Sequence, residues 1–286
     1  MTLTDYRELE PPSGVKPTRI RRADQVPWSN FEELWRHREL CWVLTWRNIR
    51  VRYKQTVLGA SWAILQPFML MIVFTIFFGW LTRMPSDGLP YPVFVYTGLT
   101  AWQFFARAFN EGSASIANSP HLITKIYFPR LYLPISVTLA CLVDLFFGLV
   151  ALAALLAWYG IAPGAAILLM PLFMALAIVT ALGASFLIAP AHAIYRDVAH
   201  LLPFLTQVWL FASPVVYPAS LVPERWRWLY DLNPMVTVVD GFRWGLTRGA
   251  PLGWEDALSG SFVAAAMLVL GYVYFRRREA VMTDIV

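Results

Sequence analysis

The residues best suited to chemistry stand together in the run Arg47-Asn-Ile-Arg50-Val-Arg52-Tyr-Lys54. Closely spaced cations suit phosphate oxygens, since a guanidinium presents a planar fork of donors and an ammonium a compact charge. Gly59 follows, where a sharp turn or a close backbone approach is possible. The same charges would also anchor a membrane protein by its cytoplasmic side, and charge alone weighs the two readings evenly. Asp144 is a different candidate, a carboxylate inside a long apolar run. Such a group marks a functional site or a helix contact; a packing role is preferred here, with the partner unnamed. A membrane-embedded transferase would need a convergent acid, base or nucleophile. A proton-coupled carrier would need more buried carboxylates or an internal repeat. Neither pattern is visible. There is no Walker-type glycine loop, HExxH or paired-cysteine motif, so no ATP site, metal or catalytic residue is expected in this chain. His121 and His192 read as interfacial. Cys41 and Cys141 suggest neither a disulfide framework nor a metal site.

The elements that must carry these residues follow from composition. Hydrophobic residues make up 58% of the 286 and charged residues 14%, with a mean hydropathy of +0.54. So apolar a chain must face lipid or other apolar helices, and a span needs about 20 such residues. The expected fold is an all-α membrane protein of six transmembrane helices. The spans fall at 58–81, about 91–106, 131–159, about 165–194, about 201–217 and about 258–275, ending at Arg276-Arg277-Arg278. Residues 1–28, with four prolines, read as a flexible arm; no cleavable signal peptide is visible, since the first 57 residues are polar and charged. Residues 29–55 form an amphipathic helix opened by a Ser29–Glu32 capping box. Its Phe31, Leu34, Trp35, Trp42, Trp46, Ile49 and Tyr53 fall within an arc of about 120°. A Trp-rich, basic helix just before a span suits the membrane interface. Of the 23 Lys and Arg, 18 lie in the segments on the N-terminal side of the membrane and five opposite. By the positive-inside rule both termini are cytoplasmic. The net charge of +5 is read as that loop bias rather than as nucleic-acid binding.

Two further segments exceed what connectors require. Between spans 2 and 3, residues 113–130 mix small polar and apolar groups, as a short helix docking on a partner would. Residues 219–257 hold Trp226, Trp228, Trp244 and Trp254 with interspersed charges and a break at Asn233-Pro234. Here 236–246 suits a short helix dipping back into the membrane, within a structured outer cap. Many aromatics lie within spans. Phe68, Phe74, Phe77, Trp102, Trp209 and Phe211 are candidates to line a path for sugars, whose apolar faces stack on flat rings; lipid-facing bulk is the competing reading for each.

From Arg50-Val-Arg-Tyr-Lys-Gln-Thr-Val-Leu-Gly-Ala-Ser-Trp-Ala-Ile-Leu-Gln-Pro67 onward, the sequence resembles the ABC-2 permeases of bacterial polysaccharide exporters, those of O-antigen, capsule and teichoic acid. The resemblance runs through Tyr96-Thr-Gly-Leu-Thr-Ala-Trp102, Leu122-Ile-Thr-Lys-Ile-Tyr-Phe-Pro-Arg130, Tyr195-Arg-Asp-Val198, Ser213-Pro-Val215 and Leu232-Asn-Pro234. It covers roughly residues 30 to 278. It implies a transport subunit, not an enzyme, in the bacterial inner membrane. Two copies would pair with two separate ABC ATPase subunits, which carry ATP and Mg. It further implies an interface helix before span 1, with Leu58 and Gly59 in a loop guarding the cytoplasmic entrance. A coupling helix at about 113–127, with Ser115, Asn118, His121, Leu122, Lys125 and Tyr127, would seat on the ATPase. Arg196 and Asp197 would make a minor second contact. Gate helices at 219–257, with Trp226, Trp228, Asn233, Pro234, Arg243 and Trp244, would surround the exit. The implied cargo is a glycan on undecaprenyl pyrophosphate or another lipid anchor, O-antigen preferred, and Arg47, Arg50, Arg52 and Lys54 would meet the pyrophosphate. An exporter of drugs or lipids is the nearest rival.

Overall fold

The structure, a computed structural model, describes residues 35–54, 59, 61–125, 128–247 and 252–285, without the side chains of 124, 125 and 280–285. The arm, the capping box, Leu58 and Tyr127 lie outside the described residues, as does the side chain of Lys125. Every regular element among the described residues is helical. In chain order these are α1 (Arg38–Tyr53), α2 (Ser61–Phe74, continued by a π-helical turn Thr75–Leu81), α3 (Tyr91–Ala114), α4 (Pro120–Lys125) and α5 (Tyr132–Trp158). Then come α6 (Met170–Ile194), α7 (Val198–Phe211), α8 (Glu224–Tyr230), α9 (Pro234–Thr247) and α10 (Trp254–Ile285).

Among the described residues four helices are long and apolar enough to cross a membrane: Ser61–Leu81, Tyr132–Trp158, Ala165–Ile194 and Trp254–Glu279. Helix α7 is apolar but shorter; at 14 residues it reaches about 21 Å. It stops at Phe211, short of the expected Tyr217, because a run of turns follows. The helix α3 stays outside that set. It carries Arg107 and Glu111, and nearly every side chain from Tyr91 to Phe109 is buried among its neighbours. Thr97 and Thr100 donate back to Val93 O and Tyr96 O, both at 2.8 Å, so their hydroxyls cost little in apolar surroundings.

Helices α3 and α6 form the centre, with α5, α9 and α10 packed around them. Between α6 and α10 the contact is backbone-close: a Cβ on Gly183 would stand 2.7 Å from the Leu268 nitrogen, and one on Gly271 2.6 Å from the Gly183 oxygen. Helix α5 ends in a left-handed turn at Gly160 (φ 67°). There Gly160 N–H donates to Ala157 O at 3.1 Å and Ile161 N–H to Leu156 O at 2.9 Å, the double bond pattern that satisfies the last carbonyls of a helix. Helix α2 is the outlier, burying only Ala63, Pro67 and Met71 among its first 14 residues.

Two boundaries differ from expectation. Helix α3 runs on to Ala114, so the segment expected to be a loop begins as helix. The coupling helix expected over 113–127 is a turn followed by the six residues of α4. The reason is burial. Ser113, Ser115 and Ile116 are packed inward, Ile116 with Leu44, Phe128, Tyr132, Phe186 and Phe275. That cluster marks one end of the bundle, the α1 end. The opposite end holds α8 and α9, and α9 (expected as 236–246) is buried by α3, α6 and α10.

Candidate functional site

Helix α1 runs alongside the first half of α5 in the same sense. Leu44 packs in the cluster with Tyr132 and Leu133, Asn48 Nδ2 donates to Ser136 Oγ at 3.2 Å, and Arg52 reaches Cys141 Sγ at 3.5 Å. This contact face sits roughly a quarter turn from the aromatic stripe. Trp42 therefore stays 68% exposed and Trp35 and Trp46 point outward too.

At the end of α1 the structure supplies the missing partners of Asp144. Its Oδ2 accepts from both Arg52 and Arg107, the latter at 2.9 Å, and its Oδ1 accepts from the Tyr53 hydroxyl at 2.5 Å. The other Arg52 nitrogen pairs with Glu111. Arg107 also donates to Gln66 Oε1 of α2 at 3.2 Å. Four helices thus meet at two cations and two anions, which balance. The Asp144 side chain is only 10% exposed and Arg52 17%, the condition under which pairing is required. Burial works against the charge on Arg52, and Cys141, Glu111 and Asp144 outweigh it, holding the group above its usual value. Burial also pushes the Tyr53 hydroxyl up, and its bond to Asp144 adds to this.

Beside this cluster, between α1 and the end of α3, opens a cleft of about 800 Å³. Its walls set Arg47, Asn48, Arg52, Asn110, Glu111 and Asn118 among apolar groups such as Val51, Leu133 and Val137, so it offers amides and charges to a hydroxyl-rich or anionic ligand together with apolar contact surface. The four expected cations thus divide. Arg47, Arg50 and Lys54 are exposed, Arg50 lying 5.2 Å from the Trp46 ring centre, whereas Arg52 is committed to carboxylates. Gly59 has φ 48°, in the left-handed region that favours glycine.

The expected coupling residues spread out. Asn118, His121, Arg196 and Asp197 are exposed and Leu122 is half-buried, but Ser115 is buried and donates to Gly112 O at 2.7 Å. The candidate channel aromatics also separate. Phe68, Phe77 and Phe211 are exposed, Phe74 is half-buried against Phe78, and Trp102 is buried beside Phe105. Trp209 packs edge-on to Phe105 at 4.8 Å.

At the opposite end Asn233 is a junction. Its Oδ1 accepts from Trp209 Nε1 at 2.9 Å and from Met235 N–H at 3.0 Å, while Nδ2 donates to Ala212 O and Ser213 Oγ, both at 3.0 Å. It thereby caps α9, with Pro234 in the first turn, and ties that helix to α7. Arg243 is buried, donating to Asp240 Oδ1 at 3.1 Å and to Val215 O at 3.0 Å with the Phe94 ring 3.6 Å away. Trp244 packs edge-on to Phe173 at 6.4 Å, while Trp226 and Trp228 are exposed. Asp231, which ends α8, is held above the usual carboxylate range by burial and by Asp256.

Sequence reading missed Glu111 and Arg107 as site residues. Their spacing of four on one helix, at the end of an otherwise apolar run, was the available signal.

A largely buried charge cluster thus stands beside an open cleft, in a bundle with several helices long and apolar enough to cross a membrane. The sequence signature of the family described as ABC-2 type transporter matches residues 39–247, and the chain belongs to that family. It is 29% identical to the O-antigen export system permease protein RfbA of Myxococcus xanthus, over 74% of this chain and 81% of that protein. It is 23% identical to the RfbA permease of Klebsiella pneumoniae, over 84% and 92% of the two chains. With the polysialic acid transport protein KpsM of Escherichia coli it shares 26% identity over 82% of this chain and 92% of that protein.

Proposed function

We propose that this chain is the transmembrane permease subunit of an ATP-driven exporter that moves a lipid-linked polysaccharide, O-antigen in preference, out of the cytoplasm. The observation that carries this reading is the extent of the family match, which runs from α1 through the cleft to α9, together with relatives named for the export of two polysaccharides. The relative named for polysialic acid favours capsule export as the second reading.

In this account α3 and α7 complete six spans with the four long helices, and both termini are cytoplasmic. The α1 end faces the cytoplasm and the α8–α9 cap faces outward. Two copies assemble with two ABC ATPase subunits, which seat on α4 and on the turn at Arg196 and Asp197. Trp35, Trp42 and Trp46 lie among lipid headgroups. Arg47, Arg50 and Lys54 receive the pyrophosphate of an undecaprenyl-type anchor, and the polar cleft behind them admits the first sugars. Phe68, Phe77 and Phe211, on the open faces of α2 and α7, are the aromatics left to line a path between two copies.

Purification from the native membrane tests the assembly: an ABC ATPase should accompany the chain, and the chain alone should hydrolyse no ATP. Hydrolysis by the pure chain would overturn the assignment. Replacing Arg47, Arg50 and Lys54 with Gln should cut export at least tenfold while leaving ATPase association intact. Loss of assembly instead would make those cations anchors only.

A further inference from the structure

Arg107 and Glu111 stand on α3 only a few residues before the turn that leads into α4. The segment between is packed inward at Gly112, Ser113, Ser115 and Ile116, so a short, largely buried turn joins α4 to the end of α3. That end holds α1 through Arg52, whose two nitrogens divide between Glu111 on α3 and Asp144 on α5. The Arg52–Glu111 pair also forms part of the cleft wall, with Glu111 43% exposed there.

We propose that the Arg52–Glu111–Arg107–Asp144 cluster is a clasp that transmits movement of the α4 end of α3 to helix α1, opening and closing the cleft. Arg52 and Asp144 are its positioning residues. The charges balance, so the Arg52–Glu111 link can part while Asp144 stays neutralised by Arg107 at 2.9 Å. An apolar contact of the same size would hold α1 without such an alternative. The inference rests on the reading that an ATPase acts at α4, but the clasp itself is a property of this chain.

The test uses a neutral pair of substitutions. Arg52→Gln with Asp144→Asn removes one charge of each sign and leaves Arg107 and Glu111 to pair along α3. If the cluster served only charge balance, this double variant would behave as the parent. With Cys41 and Cys141 replaced by Ala, cysteines at Asn48 and Ser136 report the separation of α1 and α5 in the isolated chain through a short thiol-reactive bis-maleimide cross-linker. The clasp predicts at least a threefold lower yield in the double variant, and an unchanged yield overturns it. In the full complex the double variant should bind the ATPase and hydrolyse ATP yet export at least tenfold less. Export restored along with abundance overturns the proposal too. Arg52→Lys keeps the charge but not the fork, and covers the case of a double variant that does not accumulate; it should lower the cross-link yield in the same direction, and an unaltered yield counts against the clasp. Failure of the functional reading would show separately, as a chain that brings down no ATPase.

Discussion

Asp144 sets the terms at the scale of single residues. From the sequence it is an isolated acid in an apolar helix, and nothing local names its partners. They come from 92, 91 and 37 residues away, at Arg52, Tyr53 and Arg107. Only the packing of α1 and α3 against α5 brings them together. Asp144→Asn alone strands one cation in a mostly buried site, where a broken pair costs roughly 3–5 kcal/mol. Purified protein should then show a clear fall in thermal midpoint and abundance; an unchanged midpoint would mean the cluster is solvated. Asn233 belongs to the same scale. Asn233→Ala removes three hydrogen bonds that tie the start of α9 to the end of α7 and a fourth that caps α9, at roughly 1 kcal/mol each. A loss of about 2–4 kcal/mol is expected, with Asn233→Asp intermediate because it keeps the acceptor. Equal stability of the two variants would contradict the junction.

At the scale of elements, legibility followed the apolar runs. The long spans at 131–159 and 165–194 stand where expected, because an uninterrupted hydrophobic stretch allows little else in a bilayer. Boundaries failed where polar residues are internally satisfied. The expected second span ends at about Ala106, since Arg107 and Glu111 read as an exit from the membrane, whereas the helix that carries it does not stop there. Their partners on α1 and α5 let the helix continue to Ala114. The aromatic stripe of α1 was visible in the sequence, but its protein-facing side was not. That side starts apolar with Leu40 and Leu44 and turns polar through Thr45, Asn48 and Arg52, so no hydrophobic period runs its length. The α6–α10 contact offers an element-level test. Gly183→Leu must separate two helices whose backbones nearly touch, with overpacking costs of about 1–3 kcal/mol or more. Cross-linking across α6 and α10 should drop while α1–α5 cross-linking persists; loss of both would mean that the bundle fails as a whole.

At the scale of the molecule, one end carries the open cleft, exposed cations and α4 with its exposed His121, and the other a cap pinned by Asn233 and Arg243. Large apolar surfaces on α2, α7 and α10 stay uncovered in the single chain, the kind of surface that marks a membrane or protein contact. Lys and Arg counts give an expected orientation of the two ends. The cleft was not legible in the sequence, since its walls come from distant segments.

The most direct test of the central claim is transport itself. The chain, reconstituted in vesicles with its ATPase and a lipid-linked O-antigen glycan, should move that glycan to the far side only when ATP, the ATPase and the chain are all present. Glycan that stays on its original side while ATP is hydrolysed would contradict the account.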